Sequence, residues 1–316
     1  MKFFALALLA WAPAWAEVTV HEYLVPEGHG VHDIWADSAA DGPVWFSAEI
    51  SGRLGILHPK SGKIDFVSLG EGSSPHGVIA AADGAPWLTD RGRNAIVRVD
   101  AKTHAVKVWK LPPDHGHVNL HSAAFDASGI LWFTGQAGIY GRLDPDSGAF
   151  RLFPAPKGPG PFGMHATAQG EIYYASFTGS YIAHIDRASG DASVIEPPTS
   201  RQGARRLWSD SRGNIWVAEW YSGNVSRYEP ASGKWMMWKP PGREPHVYAI
   251  YVDETDKVWV SEWSAQVMLR LDPATGKFET FHSSSRSPRV RQIHGRRGEV
   301  WTAESAADKV VVYRFR

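Results

Sequence analysis

The sequence predicts an all-β fold, a seven-bladed β-propeller of four-stranded blades, and two markers that repeat in phase carry that prediction. The first is a short apolar strand around a central aromatic. It occurs as "VWFSA", "PWLTD", "LWFTG", "IYYAS", "IWVAE", "VWVSE" and "VWTAE", centred on Trp45, Trp87, Trp132, Tyr173, Trp216, Trp259 and Trp301. The steps between centres are 42, 45, 41, 43, 43 and 42 residues. The second marker is a turn, seen as "HPKSGK", "DPDSGA", "EPASGK" and "DPATGK". Asp-Pro followed by Ser/Thr-Gly makes a tight hairpin, with Gly supplying a positive φ. Each unit holds four short β runs, and four strands per period of about 40–50 residues mark a propeller blade.

The elements follow in order. Residues 1–16, "MKFFALALLAWAPAWA", have one Lys, an apolar run and an Ala-Trp-Ala end, the pattern of a secretory signal peptide cut after Ala16. No stretch is long enough to span a bilayer. The expectation is a secreted or periplasmic protein, monomeric, with residues 17–316 forming one propeller domain. The last unit ends at "DKVVVYRFR" without a fourth strand, while "VTVHEYLVP" near residue 17 offers one. The N-terminal strand is therefore expected to close the ring on the last blade, removing a sheet edge that would invite aggregation. The Pro/Gly stretches "PPDHGHVN" and "PAPKGPGPFG" fall between blades and read as loops.

Composition narrows the chemistry. The 33 basic and 33 acidic residues balance, and no basic run of five or more occurs, which disfavours nucleic acid as a partner. There is no Cys, hence no disulfide and no thiolate chemistry. No G-x-S-x-G elbow, Gly-rich phosphate loop or H-E-x-x-H motif is present, which disfavours Ser-nucleophile hydrolysis and nucleotide chemistry.

The inner two strands of a blade form an antiparallel hairpin, so the start of the first and the end of the second share a rim. Counted from the central aromatic, the rim positions are −11 and +3. At −11 lie His76, His121, Phe162, Arg205 and Tyr248, with His32 from blade 1 and Arg289 or Arg291 from blade 7. At +3 lie Ala48 (with Glu49 beside it), Asp90, Gly135, Ser176, Glu219, Glu262 and Glu304. Both sets are expected at one mouth of the channel, the default site in a closed β ring. Adjacent carboxylates repel unless a cation or Arg neutralises them, so the Glu set reads either as a metal site or as scaffold bonding its own loops. Trp208, Trp220, Tyr221 and Trp263 are expected as blade-packing or rim residues.

The pattern in "SPHGVIAAADGAPWLTDRGRNAIVRVD", weaker in the other blades, resembles the streptogramin B lyase (virginiamycin B lyase) family of seven-bladed propellers. That resemblance implies ring opening of an ester by elimination, with Mg²⁺ held by two Glu and a His transferring the proton. Glu244-Pro245-His246 and Glu262 resemble that set, making Glu244 and Glu262 the expected metal ligands and His246 the expected base. Arg205, His76, His121, Tyr248 and Arg291 are then expected substrate contacts for a small ester, lactone or anionic ligand. His246 lies 13 residues before Trp259, where the family pattern places its His 11 before, the position of Tyr248; either residue could face the mouth. Arg205 stands where the family has another His, and Arg clamps anions but is no base at neutral pH. A lactone hydrolase of gluconolactonase type and a non-enzymatic periplasmic binding propeller remain alternatives.

Overall fold

The computed structural model describes residues 17–316, which form seven four-stranded antiparallel sheets. The leader expected over residues 1–16 lies outside the described residues. A single 3₁₀ turn, Pro113–His115, is the one helical element among those described, and no helix is long and apolar enough to cross a membrane. In six blades the sheet order follows the chain. In blade 7 the strand Val18–Leu24 pairs with Lys309–Phe315 in the register Val18↔Phe315 to Leu24↔Lys309, so the N-terminal strand closes the ring.

The inner hairpins run from Val31–Ala36 with Val44–Ala48 in blade 1 to Val290–Arg296 with Glu299–Glu304 in blade 7. In each, the first residue of the inner strand faces the last of the second, as in Pro75↔Asp90 and Val247↔Glu262. The register then slips in all seven blades before pairing resumes. A bulge bends the strand and re-aims the side chain it carries. One bulge per blade therefore turns one side chain into the channel.

The bulge frees backbone N–H groups, and a hydroxyl two residues after the central aromatic takes them up. Ser47 Oγ accepts Asp33 N–H (2.9 Å) and donates to the His76 carbonyl of the next blade (2.6 Å). Thr89 links Gly77 N–H to the His121 carbonyl, Thr134 links Ser122 to Phe162, and Ser261 links Ala249 to Val290. The Gly of "SPHG" follows from this contact. A Cβ on Gly77 would meet the His121 carbonyl oxygen at 2.6 Å and Thr89 Oγ1 at 2.9 Å. Between blades 7 and 1 other side chains do the same work. Gln292 Oε1 accepts Ile34 N–H, His294 Nδ1 accepts Ala36 N–H, and Arg296 donates to the carbonyls of Asp37, Ala39 and Gly42.

The core lies between blades, where Trp132, Trp216, Trp259 and Trp301 are fully buried. A buried indole N–H needs a partner, and an Asp six residues earlier supplies it in three blades: Asp126, Asp210 and Asp253, at 2.8, 3.0 and 2.8 Å. Trp301 uses Glu299 instead. Blade 2 has Ala81 at that place, and Trp87 Nε1 is buried without a partner. The backbone there already matches, because Ala81 N–H donates to the Ala85 carbonyl as Asp126 N–H does to Ile130. Ala81→Asp is therefore expected to stabilise the protein by about 1 kcal/mol, measured as a higher urea midpoint at unchanged slope. Asp253→Ala should destabilise it by roughly 1–3 kcal/mol, because it orphans the Trp259 N–H.

Candidate functional site

The seven bulges place His32, His76, His121, Phe162, Arg205, Tyr248 and Arg291 in a closed ring around the channel. Neighbouring rings touch in succession. The His32–His76 and His76–His121 centroids lie 4.1 Å apart, and His121–Phe162 lie 3.6 Å apart. The Arg205 guanidinium then lies 4.8 Å from the Phe162 ring and 3.9 Å from that of Tyr248, and Arg291 Nη1 reaches Tyr248 Oη at 3.5 Å. Register settles the two open positions. Arg291, not Arg289, holds the blade 7 place, and Arg289 is exposed. Tyr248 holds the blade 6 place because Val247, directly after His246, pairs with Glu262.

A second tier, at the residue after each strand end, widens the ring into a mouth with two unlike halves. Blades 1 and 2 contribute Glu49 and Arg91, which form an ion pair. Blades 4 to 6 contribute Phe177, Trp220 and Trp263, a half-buried aromatic wall extended by exposed Tyr221, which stacks on Phe177. Arg205 is the centre of this wall. Its guanidinium lies within 4.8 Å of the ring centres of Phe162, Phe177, Trp220 and Tyr248, it has no carboxylate partner among the described residues, and its Nε is buried without a hydrogen bond. Cation–π contact of this kind holds the charge in place without neutralising it.

Directly beneath the ring, Arg206 crosses the channel. Its Nη2 contacts both Asp33 oxygens (2.7 and 3.0 Å), Nη1 donates to Ser122 Oγ (3.1 Å) and Nε to the Arg291 carbonyl (3.0 Å). It thus ties blade 5 to blades 1, 3 and 7 and closes the channel below the mouth. Arg206 and Asp33 carry no regular sequence marker, whereas Trp220, Tyr221 and Trp263 fall among the aromatics expected at blade contacts or the rim.

Electrostatics follow from burial. Burial, and after it Arg291, Arg206, Arg91 and Arg205, hold the His32 imidazole well below its ordinary range. Burial acts likewise on His76 and His121, reinforced by the adjacent imidazole in each case. Glu49 is raised by burial, against the pull of Arg91. The mouth is therefore three neutral imidazoles beneath a surplus of guanidinium charge. His32, Asp33 and His76 do bring three ligand-type atoms within 4.8 Å of one another. Asp33 is committed to Arg206, however, and the arginines oppose a cation there.

The carboxylates at +3 turn away from the channel, which corrects the expectation that they line the mouth. Each is buried and bonds its own blade's loops. Asp90 accepts Ser74 and Arg93 N–H, and Glu219 accepts Gln202 Nε2 and Ser222 Oγ. Glu304 accepts Ser285 Oγ. Glu262 accepts three backbone N–H groups, from His246 (2.7 Å), Ser264 (2.9 Å) and Ala265. Glu244 is exposed on the preceding loop. A Mg²⁺ site needs carboxylate oxygens turned toward one point. With Glu262 already accepting three backbone N–H groups and Glu244 exposed on the preceding loop, the pair is not gathered around one cation. His246 stands outside the ring, half-buried against Trp220 at 4.8 Å, with Nδ1 on Ser264 Oγ at 2.7 Å.

The fold defines a class, the seven-bladed β-propellers of four-stranded antiparallel blades. Comparison with known proteins narrows it. Residues 14–234 match the virginiamycin B lyase family, and the chain belongs to that family. A virginiamycin B lyase of Nocardia farcinica (strain IFM 10152) is 29% identical over 166 residues, covering 51% of this chain and 53% of the relative. The match thus spans about half the length of that curated relative. Among solved structures, the selenomethionine-substituted virginiamycin B lyase of Staphylococcus aureus superposes with a TM-score of 0.86 at 21% identity, over 95% of this chain and 100% of that one. A streptogramin B lyase superposes equally, at 19% identity over 96% and 100%. At these identities the structural likeness concerns the fold.

The buried imidazoles make stability depend on pH. Besides the three in the ring, His165 and His294 near the other end of the channel are pushed down to about 3, chiefly by burial. The unfolded chain binds protons at these sites near pH 6.5 and the folded one does not, so their contribution is complete above that pH. It is lost as pH falls from 6.5 toward the folded values, by up to roughly 1.4 kcal/mol per pH unit for each group. Urea unfolding at pH 7.5, 6, 5 and 4 should show stability falling steeply over the acid half of the series. His121→Phe should flatten that slope.

Proposed function

We propose that the protein is a carbon–oxygen lyase that opens an ester or lactone at this mouth, with guanidinium groups in the electrophilic role. The observation that carries the proposal is Arg205, a charged group without a counter-ion, held in an aromatic box at the channel entrance beside Arg291. In such an elimination a base takes the C–H proton next to the carbon that bears the ester oxygen. The C–H electron pair becomes the C=C bond, and the C–O pair leaves with the carboxylate. Arg205 and Arg291 are placed to receive that carboxylate by charge-assisted hydrogen bonds. His246, its Nδ1 held by Ser264 and its Nε2 without a protein partner, is the base. His246 and Arg205 both lie against the Trp220 ring, at 4.8 and 4.6 Å from its centroid. Phe177, Tyr221 and Trp263 would cover the substrate's apolar body, while His76 and His121 floor the mouth as neutral contacts. The leader-like residues 1–16 support export, and Glu17 at the N-terminus of the secreted protein, read by mass spectrometry, would establish it.

A panel of cyclic depsipeptides, lactones and simple esters tests the reaction. Elimination gives a ring-opened product of the substrate's own mass, and hydrolysis adds one water. We expect Arg205→Met and His246→Ala each to lower kcat/KM by about 10²–10³ in a folded protein, and chelation to leave the rate unchanged. Loss of the rate on chelation, restored by Mg²⁺, would overturn the metal-free mechanism. A product heavier by one water would make the protein a lactone hydrolase. Arg205-dependent binding without turnover would make it a recognition module.

A further inference from the structure

Below Arg206 the channel opens again into a second chamber, of about 210 Å³, at the end opposite the mouth. None of the seven mouth-ring residues lines it. Its roof is the Asp33–Arg206–Ser122 bridge with Gln292, and its walls include Trp35, Met164, His165 and Trp208. We propose that this chamber is a separate binding site for an uncharged, planar, one- or two-ring molecule carrying a carbonyl acceptor.

Four features define that ligand. A cavity of about 150 Å³ accommodates benzene, so the volume suits one or two rings. The walls are aromatic and braced from behind or beside: Trp35 stacks on His294 at 3.7 Å, and Trp208 lies against His165 at 4.1 Å with the rings tilted by 32°. The chamber has no net charge to offer, because Arg206 is neutralised by Asp33 and both imidazoles are uncharged, so an anion would lose its water shell with no counter-charge gained. Finally, Gln292 is only 8% exposed, and its Oε1 is committed to the Ile34 N–H. Its amide nitrogen, at the roof, makes no hydrogen bond among the described residues. It lines the chamber and is free to donate to an acceptor placed there. The inference is independent of the reaction proposed at the mouth, since Arg206 separates the two spaces.

The test uses the whole protein labelled with ¹³C-methyl methionine, whose five Met residues include Met164 at the chamber wall. With benzamide as probe, the Met164 methyl resonance should shift saturably while those of exposed Met236 and Met237 do not. Benzoate and toluene should each bind about tenfold more weakly, lacking neutrality or an acceptor. Gln292→Glu keeps the acceptor for Ile34 and removes the donor, and should also weaken benzamide about tenfold. Ala123→Phe fills the chamber and should abolish the shift; thermal melts report whether both variants fold. A Met164 signal unmoved by benzamide, or moved equally in Ala123→Phe, overturns the site. Equal binding of benzoate or toluene, or undiminished binding to folded Gln292→Glu, overturns the ligand class. Should either variant fail to fold, the three probes on the wild-type protein still decide both points.

Discussion

The structure depends on the hydroxyl that crosses from one blade to the next at the bulge. A propeller needs each inner strand to do two incompatible things, to pair with its own sheet and to turn a side chain toward the axis. The bulge resolves this by breaking the ladder, which strands an N–H in a place water does not reach. Ser47, Thr89, Thr134 and Ser261 take that N–H and spend their own proton on the neighbouring blade's carbonyl. Blade geometry, ring spacing and the aim of His76, His121 and Phe162 are thus set by the same short contacts. Blades 4, 5 and 7 have Ala at this position, and the ring residues that follow them are Arg205, Tyr248 and His32. Arg205 and Tyr248 therefore sit where no such hydroxyl clamps the preceding blade, while Gln292, His294 and Arg296 take over between blades 7 and 1.

Much of the fold was legible in the sequence because its markers perform repeated tasks. The central aromatic packs between blades, and the Ser/Thr-Gly turn needs a positive φ. Each leaves a residue type at a fixed offset, so period, blade number and ring closure could all be counted. The site was only half legible. Counting back from the aromatic found the ring, but blade 6 needed the register to choose Tyr248 over His246, and a bulge has no residue code of its own. The Glu at +3 left two readings open for a physical reason: a carboxylate that caps a loop and one that awaits a cation look alike until the N–H groups around it are seen. Arg206 was not legible, because its meaning lies in Asp33 and Ser122, far away in the chain.

Charge organises the channel once the fold is in place. Burying three imidazoles side by side is tolerable only if they stay neutral; burial itself enforces that, and the neighbouring imidazoles and arginines reinforce it. The same arginines make the mouth hospitable to anions and hostile to cations. A relative with His in the Arg205 position would have a different balance, so membership in the family fixes the platform more firmly than the chemistry performed on it.

The pairing of Val18–Leu24 with Lys309–Phe315 has a consequence for synthesis. Chains are made from the N-terminus, so Val18–Leu24 emerges before all seven blades and its partner only after six of them are complete. Blades 1 to 6 can each form from contiguous segments as they are completed, but the circle stays an open arc until the final strand arrives. During that interval Val18–Leu24 is a free edge, and the arc can be completed by the wrong chain as well as by its own. The period of greatest exposure to misassembly is therefore set by the time taken to make all seven blades, and it ends in one step.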